Sequence, residues 1–476
     1  MRAGVSHDPR AMPTRFRRHS LPRQSLAFHP TGQRARRTEY FFVEASDGVP
    51  HAADLRERRG DDGDDDEWQV GSVRAPSLDV LVVGAGPPGI ATALALHARG
   101  LRVVIAERRV RGTRGTPGET LPGRVRSALD ALGIADVLDD WSCTPIRSHR
   151  ARWGPALRER HLAHDPDGHA WQVDRDGFDE LLRLRAVERG IDVRLGMRCT
   201  SVVPETGGWR IALDQERGRS SLRAAFVVDA TGRSAFVARR LGARHERCDR
   251  TVAVIAGILG PAAARCGSTL VEVCPDGWWY AAALPSDDIA VNFVTDAALV
   301  PVGASARTGA LFDQLCNAPL IERYLAGCGS PAWLRVVSAA PAVTSPVAGA
   351  GWLATGDASS VHDPLAFSGV TKALEQGLSS AAAIAAWFGG DPLALDRYRA
   401  AAEDDFAAHL QARRACYAAA GLSRFPFWRQ RAASSAPSLA RTSAPWWPMT
   451  ITGPHRAVPD PAHDAPAAAS AAHVPA

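Results

Sequence analysis

The hexapeptide Gly84-Ala85-Gly86-Pro87-Pro88-Gly89 constrains this chain more than any other segment, because of what stands on either side of it. Before it, Asp79 to Val83 is an apolar stretch of the length of a buried strand; after it, Gly89 to Arg99 has helical spacing. Arg102 to Glu107 then reads as a second strand, which makes the whole a βαβ unit. In such a unit Gly84 permits a tight turn, Gly86 lets the backbone approach a diphosphate with no Cβ in the way, and Gly89 lets the helix pack close to the strand. The diphosphate meets free N–H groups and the positive end of the helix dipole. Glu107, at the end of the second strand, is placed to accept hydrogen bonds from a ribose diol; taken alone it is a solvated carboxylate at a strand end. A bare glycine string is weak evidence, but in this setting it predicts a dinucleotide site.

Helical spacing returns at Arg124 to Leu132 and Phe178 to Glu188, with strand-like runs at Ile191 to Leu195 and Phe226 to Asp229. Val252 to Leu259, Thr269 to Cys274, Trp278 to Leu284 and Ala290 to Val294 read as strands of a second sheet. A last apolar strand, Trp352 to Thr355, precedes a long helix through Leu374 to Phe388. The expected fold class is therefore α/β: a Rossmann-like nucleotide domain split in sequence, with a mostly antiparallel β domain on the substrate side. Its first part is expected over residues 77–250, the β domain over 251–345, and the completion with C-terminal helices over 346–430. Residues 1–76 carry nine arginines against one acid up to Arg37 and then six acids within 61–67. Charge blocks of this kind resist folding, so a disordered extension is expected, either a solvated arm or a binding arm. Residues 431–476, rich in Ala, Pro and Ser, read as a second disordered tail.

The net charge of +5 invites an anionic partner, but the basic residues are arginines with the single exception of Lys372, and basic tracts with interleaved aromatics are missing from the folded region. No nucleic-acid partner is expected. The eight cysteines form no Cys-x-x-Cys pair, so no metal site is expected and the thiols read as reduced, in a cytoplasmic protein. Arg15, Arg17, Arg18 and Arg23 interrupt any leader-like apolar core, and no apolar run reaches the length of a transmembrane helix.

Two further turns gain meaning only in company. Gly356-Asp357 follows the strand Trp352 to Thr355, where an aspartate can accept from ribityl or ribose hydroxyls and Gly369 opens the backbone beside a flat ring; by itself Gly-Asp is a turn. The cluster Asp229-Ala230-Thr231-Gly232, unaided, reads as structural.

Taken in order, Gly84-x-Gly86-x-x-Gly89, Asp229-Ala-Thr-Gly232 and Gly356-Asp357 resemble the FAD-binding domain of flavoprotein monooxygenases of the p-hydroxybenzoate hydroxylase fold, over about residues 78 to 425. Gly118-Glu119-Thr120-Leu121-Pro122, Gly277-Trp278-Trp279-Tyr280 and Asp363-Pro364-Leu365-Ala366-Phe367-Ser368-Gly369-Val370 are most similar to the branch of tryptophan halogenases and of the flavoproteins that oxidise a peptidyl tryptophan in tryptophylquinone biogenesis. The resemblance implies FAD as the cofactor, with Glu107 on the adenosine ribose, Arg126 on the adenosine or pyrophosphate side, Asp357 near the ribityl-pyrophosphate, and Pro364 and Gly369 shaping the backbone along the isoalloxazine ring. A surface helix position explains Arg126 equally well; Asp174 and Arg175, opening the helix that carries Phe178, also fit the family pattern, but a helix cap explains Asp174 more simply. Trp278, Trp279 and Tyr280 are candidates for an aromatic substrate wall, against the alternative that alternate residues of this strand fill the core. His362 is a candidate proton relay or a structural histidine.

The departures narrow the expected chemistry. The halogenases carry a lysine after their Gly-Glu-Ser/Thr motif and a Trp-x-Trp-x-Ile-Pro motif; here no lysine follows Gly118-Glu119-Thr120, and Tyr280-Ala281-Ala282-Ala283-Leu284-Pro285 lacks both tryptophans. Halogenation is disfavoured. The expectation is a monooxygenase that uses O2 through an FAD C4a-hydroperoxide on a small-molecule or peptidyl aromatic substrate, with NAD(P)H or a separate flavin reductase as electron source. The rivals are a dehydrogenase or reductase resembling the geranylgeranyl reductases and a non-catalytic flavin-binding maturation factor. No residue is assigned as catalytic.

Overall fold

The strand Leu78–Val83 becomes wholly buried after its first two residues and forms the centre of a parallel sheet, with Val103–Glu107 on one side and Gly218–Asp229 on the other. The computed structural model describes residues 78–110, 118–216, 218–260, 267–286 and 288–433. The expected extension 1–76 and the expected tail beyond residue 433 lie outside the described residues. Asp192–Leu195 adds to the outer edge of Val103–Glu107, and Trp352–Ala354 pairs with Gly218–Asp229, both in parallel. The long strand Gly218–Asp229 shows two regimes. Its first half pairs antiparallel with Gly208–Gln215 and alternates in burial, while Phe226 to Asp229 lies between parallel neighbours and is continuously buried. That is why only the second half stands out as an apolar run.

The helix Pro87–His97 is buried from Pro87 to Leu96 and therefore lacks an amphipathic stripe. It lies against the helix Gly369–Phe388, and the two approach closely because a Cβ on Gly377 would fall 2.5 Å from Ala91 Cβ.

The second sheet has seven strands, in the order Pro331–Ser338, Thr251–Leu259, Asp288–Asp296, Gly277–Ala283, Ser268–Cys274, Ser148–Arg152 and Leu157–His161. Its pairings are antiparallel except where Ser148–Arg152 joins Ser268–Cys274 in parallel. The expected boundary at residue 251 therefore needs correction, since residues 148–161 extend the substrate-side sheet. These last two strands, Ser-His-Arg-Ala-Arg and the edge strand Leu-Arg-Glu-Arg-His, are charged and carry almost no apolar signal. A small sheet of Glu119–Leu121, Ala170–Val173 and Cys143–Ile146 completes this region.

The C-terminal helices serve both layers instead of only completing the nucleotide domain. In Ala394–Ala419, Tyr398 packs into the core of the parallel sheet, while Tyr417 joins Phe427 and Trp428 of the helix Pro426–Ala433 against Trp278 of the second sheet. A buried ion pair fixes that helix: Arg413 Nε lies 2.7 Å from Asp363 Oδ2, and Arg413 Nη2 lies 2.5 Å from Asp249 Oδ2. Burial works against the Asp249 carboxylate, but the Arg413 charge and Thr251 overcome it and hold its pKa low. Replacing Arg413 by Met strands a desolvated carboxylate, so chemical unfolding should show a loss of about 3–5 kcal/mol; an unchanged denaturation midpoint would show that the pair contributes nothing.

Candidate functional site

A cavity of about 860 Å³ opens where the strands of the parallel sheet end and extends to one face of the second sheet. Its floor is the glycine turn. Gly84 has φ +111°, and a Cβ there would fall 2.3 Å from Ala230 O, whereas a Cβ on Gly89 would fall 2.1 Å from Gly84 O. Gly84 lines the cavity, and Gly89 stands behind it as a packing residue. Gly86 also lines the cavity and differs from both. An added Cβ would meet only Pro88 Cδ, at 3.7 Å, and otherwise project into open space.

The helix start offers fewer donors than usual, because Pro87 and Pro88 occupy its first positions and have no N–H. Arginines supply positive charge instead: Arg108, Arg109, Arg198, Arg219, Arg233 and Arg240 line this end of the cavity. Guanidinium groups match phosphate oxygens in geometry as well as charge. The Glu107 carboxylate is no loose strand end. It accepts hydrogen bonds from Ala85 N at 2.8 Å and Arg109 N at 3.0 Å, which leaves lone pairs for a diol.

Asp229 stabilises the opposite rim. Its carboxylate accepts from Thr231 N (2.9 Å), Thr231 Oγ1 (2.6 Å) and Ala238 N (2.8 Å), tying the turn to the helix Phe236–Arg240. Burial raises its pKa. The Asp-Ala-Thr-Gly segment is thus a structural staple whose Gly232 reaches the cavity. Asp357 lies beside Arg233, with Nε 3.4 Å from Oδ2, and Gly356, at φ +63°, donates its N–H to Gln376 Oε1 at 2.9 Å.

Asp363 to Gly369 forms the inner wall. Asp363 Oδ1 accepts from Leu365 N at 3.0 Å and sets a short turn on Pro364; Pro364, Phe367, Ser368 and Gly369 all line the cavity. Phe367 adopts φ +47°, a left-handed conformation that costs a side-chain-bearing residue roughly 1–2 kcal/mol. Its ring tilts against Tyr280 at 5.4 Å between centroids.

The period of a strand decides the aromatic wall. Trp278 and Tyr280 face the cavity, but Trp279 points through the sheet and stacks on Phe293 at 4.6 Å in the opposite core. The expected wall of three is a wall of two. Trp278 Nε1 donates to Tyr417 OH at 3.1 Å, which in turn donates to Asp363 Oδ2 at 3.1 Å. The Tyr280 hydroxyl donates to Gln172 Oε1 at 3.0 Å and lies 2.6 Å from Thr120 Oγ1; burial pushes its pKa up. Arg126 is not brought to the cavity. It lies exposed on the helix Val125–Ala131, its guanidinium 5.3 Å from the centroid of the Trp171 ring.

Residues that reading the sequence did not single out complete the chamber. Asn292 lines it with a buried Oδ1 that has no hydrogen-bond partner, and Ala253, Ile255 and Val294 share its face. An amide interrupting the apolar run Ile289 to Val294 was the available signal. Thr120 and Gln172 gave none, since their partner Tyr280 is distant in the chain. His362 lines the cavity and stacks on His409 at 4.0 Å; burial and the Lys372 charge hold its pKa well below the usual range, so the imidazole is neutral.

These features suit FAD: an open backbone cradle with arginines for the diphosphate, a pinned carboxylate for the ribose, and a wall of backbone beside an apolar chamber for the flavin ring. Gly86→Ala isolates the cradle. The apoprotein should unfold at the native temperature, because the new methyl touches only Pro88, while FAD affinity measured by flavin fluorescence should fall by about tenfold or more. Equal affinity would remove Gly86 from the cofactor site.

Comparison with known proteins agrees with this geometry. The family described as FAD binding domain matches residues 77–289. LodB of Marinomonas mediterranea, itself inferred to be an FAD-dependent oxidoreductase, is 30% identical over 223 residues, which is 46% of this chain and 60% of LodB. The chain thus spans less than two thirds of that relative. Among solved structures, the flavin-dependent halogenase CmlS superposes with a TM-score of 0.67 at 26% identity, over 76% of this chain and 68% of CmlS. The peptidyl tryptophan dihydroxylase QhpG, essential for tryptophylquinone cofactor biogenesis, superposes with a TM-score of 0.64 at 25% identity, over 78% of this chain and 81% of QhpG. With the FAD binding domain matched over residues 77–289 and its cradle in place in the fold, FAD is the cofactor, and the chain is similar to flavoproteins of the halogenase-like branch of the FAD-dependent monooxygenases.

Proposed function

We propose that this chain is a flavin-dependent monooxygenase that oxygenates an aromatic group, with an indole, such as a tryptophan in a peptide or on a carrier, as its substrate class. The observation that carries the reading is the chamber opposite the Asp363 to Gly369 wall. Ala253, Ile255, Trp278, Tyr280 and Val294 give it an apolar surface, and one buried acceptor, Asn292 Oδ1, has no partner within the protein. A buried polar atom left unpaired costs stability unless a ligand satisfies it, and a flat ring bearing a single N–H or O–H does so. Electrons come from NAD(P)H bound transiently or from a separate reductase.

Bound FAD supplies the activation of dioxygen. The protein's own part is to orient the ring and keep water out. Phe367 and Tyr280 close one side of the chamber, and Trp278 is held by Tyr417 so that it cannot swing into the space. Exclusion of water protects reactive oxygen species from decay and strengthens every polar contact in the chamber. Halogenation is the less favoured outcome, because Lys372, the only lysine of the chain, lies on the helix Gly369–Phe388 with its ammonium bonded to Ser360 O and not after Gly118-Glu119-Thr120.

The decisive experiment reduces the FAD-loaded protein anaerobically, then adds ¹⁸O₂ with an indole or a tryptophan-containing peptide in the presence of bromide. The expected product carries ¹⁸O by mass spectrometry. A brominated product would overturn the reading in favour of halogenation, and turnover without oxygen, using an artificial electron acceptor, would favour a dehydrogenase. Asn292→Leu should raise KM for donor-bearing aromatics by about tenfold and leave FAD affinity unchanged, in line with the loss of one buried hydrogen bond.

A further inference from the structure

Of fifty-six basic residues, Lys372 alone is a lysine, and it is 4% exposed. It lines the FAD cavity and also a second cavity of about 530 Å³ between the helices Gly369–Phe388 and Ala394–Ala419. The second cavity reaches the surface, since Glu375, Ser379, Ala382 and Ala401 in its lining are exposed. In a chain that uses arginine everywhere else, the position between two cavities holds the one lysine, whose ammonium can give up its proton as a guanidinium does not.

Two other titratable side chains bridge the same wall. Asp405 lines the second cavity, His362 lines the FAD cavity, and Asp405 Oδ2 lies 3.3 Å from His362 Nε2. Burial raises the Asp405 pKa against the charges of Lys372, His409 and Arg124, and burial also lowers the pKa of His362, helped by Lys372 and Arg124. Burial lowers Lys372 as well, countered by Asp357 and Asp405. The further charged groups around them are Glu375, raised by its own burial, and His409, stacked on His362 and lowered by burial. Burial thus makes the carboxyl hold a proton more firmly, and the imidazole less firmly, than the same groups in water.

We propose that Asp405 and His362 form a proton path from the second cavity into the FAD cavity, with Lys372 as its positioning residue. The proposal rests on FAD occupying the first cavity. Asp405, as the acid, gives its proton to His362 Nε2; the imidazolium so formed passes one proton to a base in the FAD cavity and returns to neutral; a proton from bulk buffer, carried through the second cavity, reprotonates Asp405. No charge accumulates on the path. Lys372 Nζ donates to Ser360 O, which fixes the short strand Ser360–Val361 that leads into His362, and its charge keeps the imidazolium short-lived. Protons then reach the reacting ring without water entering the substrate chamber.

The test uses the FAD-loaded protein with a pH-indicator dye, reducing the flavin by a light flash and timing proton uptake. Asp405→Asn and His362→Gln should each slow uptake by about tenfold or more, within the range of general acid–base contributions. Asp405→Glu should restore it, and so should formate added to Asp405→Asn, since the second cavity admits a small acid. Lys372→Met should shift the pH at which uptake slows, and Lys372→Arg should not return it to the native value. Because Lys372 is the only lysine, ¹³Cε-lysine labelling gives a single lysine resonance, which reports its titration without turnover. Uptake within twofold of native in both Asp405→Asn and His362→Gln would overturn the path. If the native chain carries no flavin absorbance before the flash, the FAD reading fails along with it; if flavin is bound and uptake is unaffected, this proposal fails alone.

Discussion

The carboxylate of Asp363, almost wholly buried, is bonded at once to Arg413 and Tyr417 of the last long helix and to the backbone of its own turn. It joins three parts of the molecule. The turn is the wall expected beside the flavin, Tyr417 holds Trp278 in the apolar part of the cavity, and Arg413 reaches Asp249 at the start of the second sheet. A charge so far from water is tolerated only where its partners fill every side. The spacing between the Asp363 to Gly369 wall and the aromatic wall therefore follows from ion-pair geometry and is not left to the softer packing of apolar side chains.

The cavity itself is divided by chemistry. One end gathers arginines around a proline-rich helix start that has lost two of its N–H donors, so side chains carry charge that backbone commonly carries at such turns. The other end has aliphatic and aromatic walls with few polar atoms, among them Asn292 Oδ1 and the hydroxyl of Ser368, neither with a partner in the protein. A ligand that is anionic at one end and flat and apolar at the other satisfies both. That asymmetry also separates the binding of the cofactor from the chemistry at its ring.

Much of this was legible in the chain. The βαβ unit, the four central strands of the second sheet and the late strand Trp352–Ala354 announce themselves as apolar runs with turn residues at their ends. Glu107 and Gly86 were readable for the same reason, since a motif carries its own geometry. What was hidden depends on partners far apart in sequence. Trp279 is chemically like Trp278, and only the direction of the strand separates core from chamber. The strands Ser148–Arg152 and Leu157–His161, the last two of the second sheet, are rich in charge, so nothing local marks them. Asp405, His409 and Arg413 recur every four residues along one stripe of the helix Ala394–Ala419, a spacing that marks an inward polar face only once the helix has a partner.

The sheet that cradles the nucleotide is finished by Trp352–Ala354, and the helix that braces both layers ends near residue 419. During synthesis the glycine turn leaves the ribosome long before the segments that complete its surroundings. Ser148–Arg152 must likewise wait for Ser268–Cys274 before it has a neighbour on its inner side. Such distant pairings close slowly and leave strand edges unpaired in the meantime. Cofactor capture therefore depends on segments made late in the chain and belongs to the end of its maturation instead of its beginning.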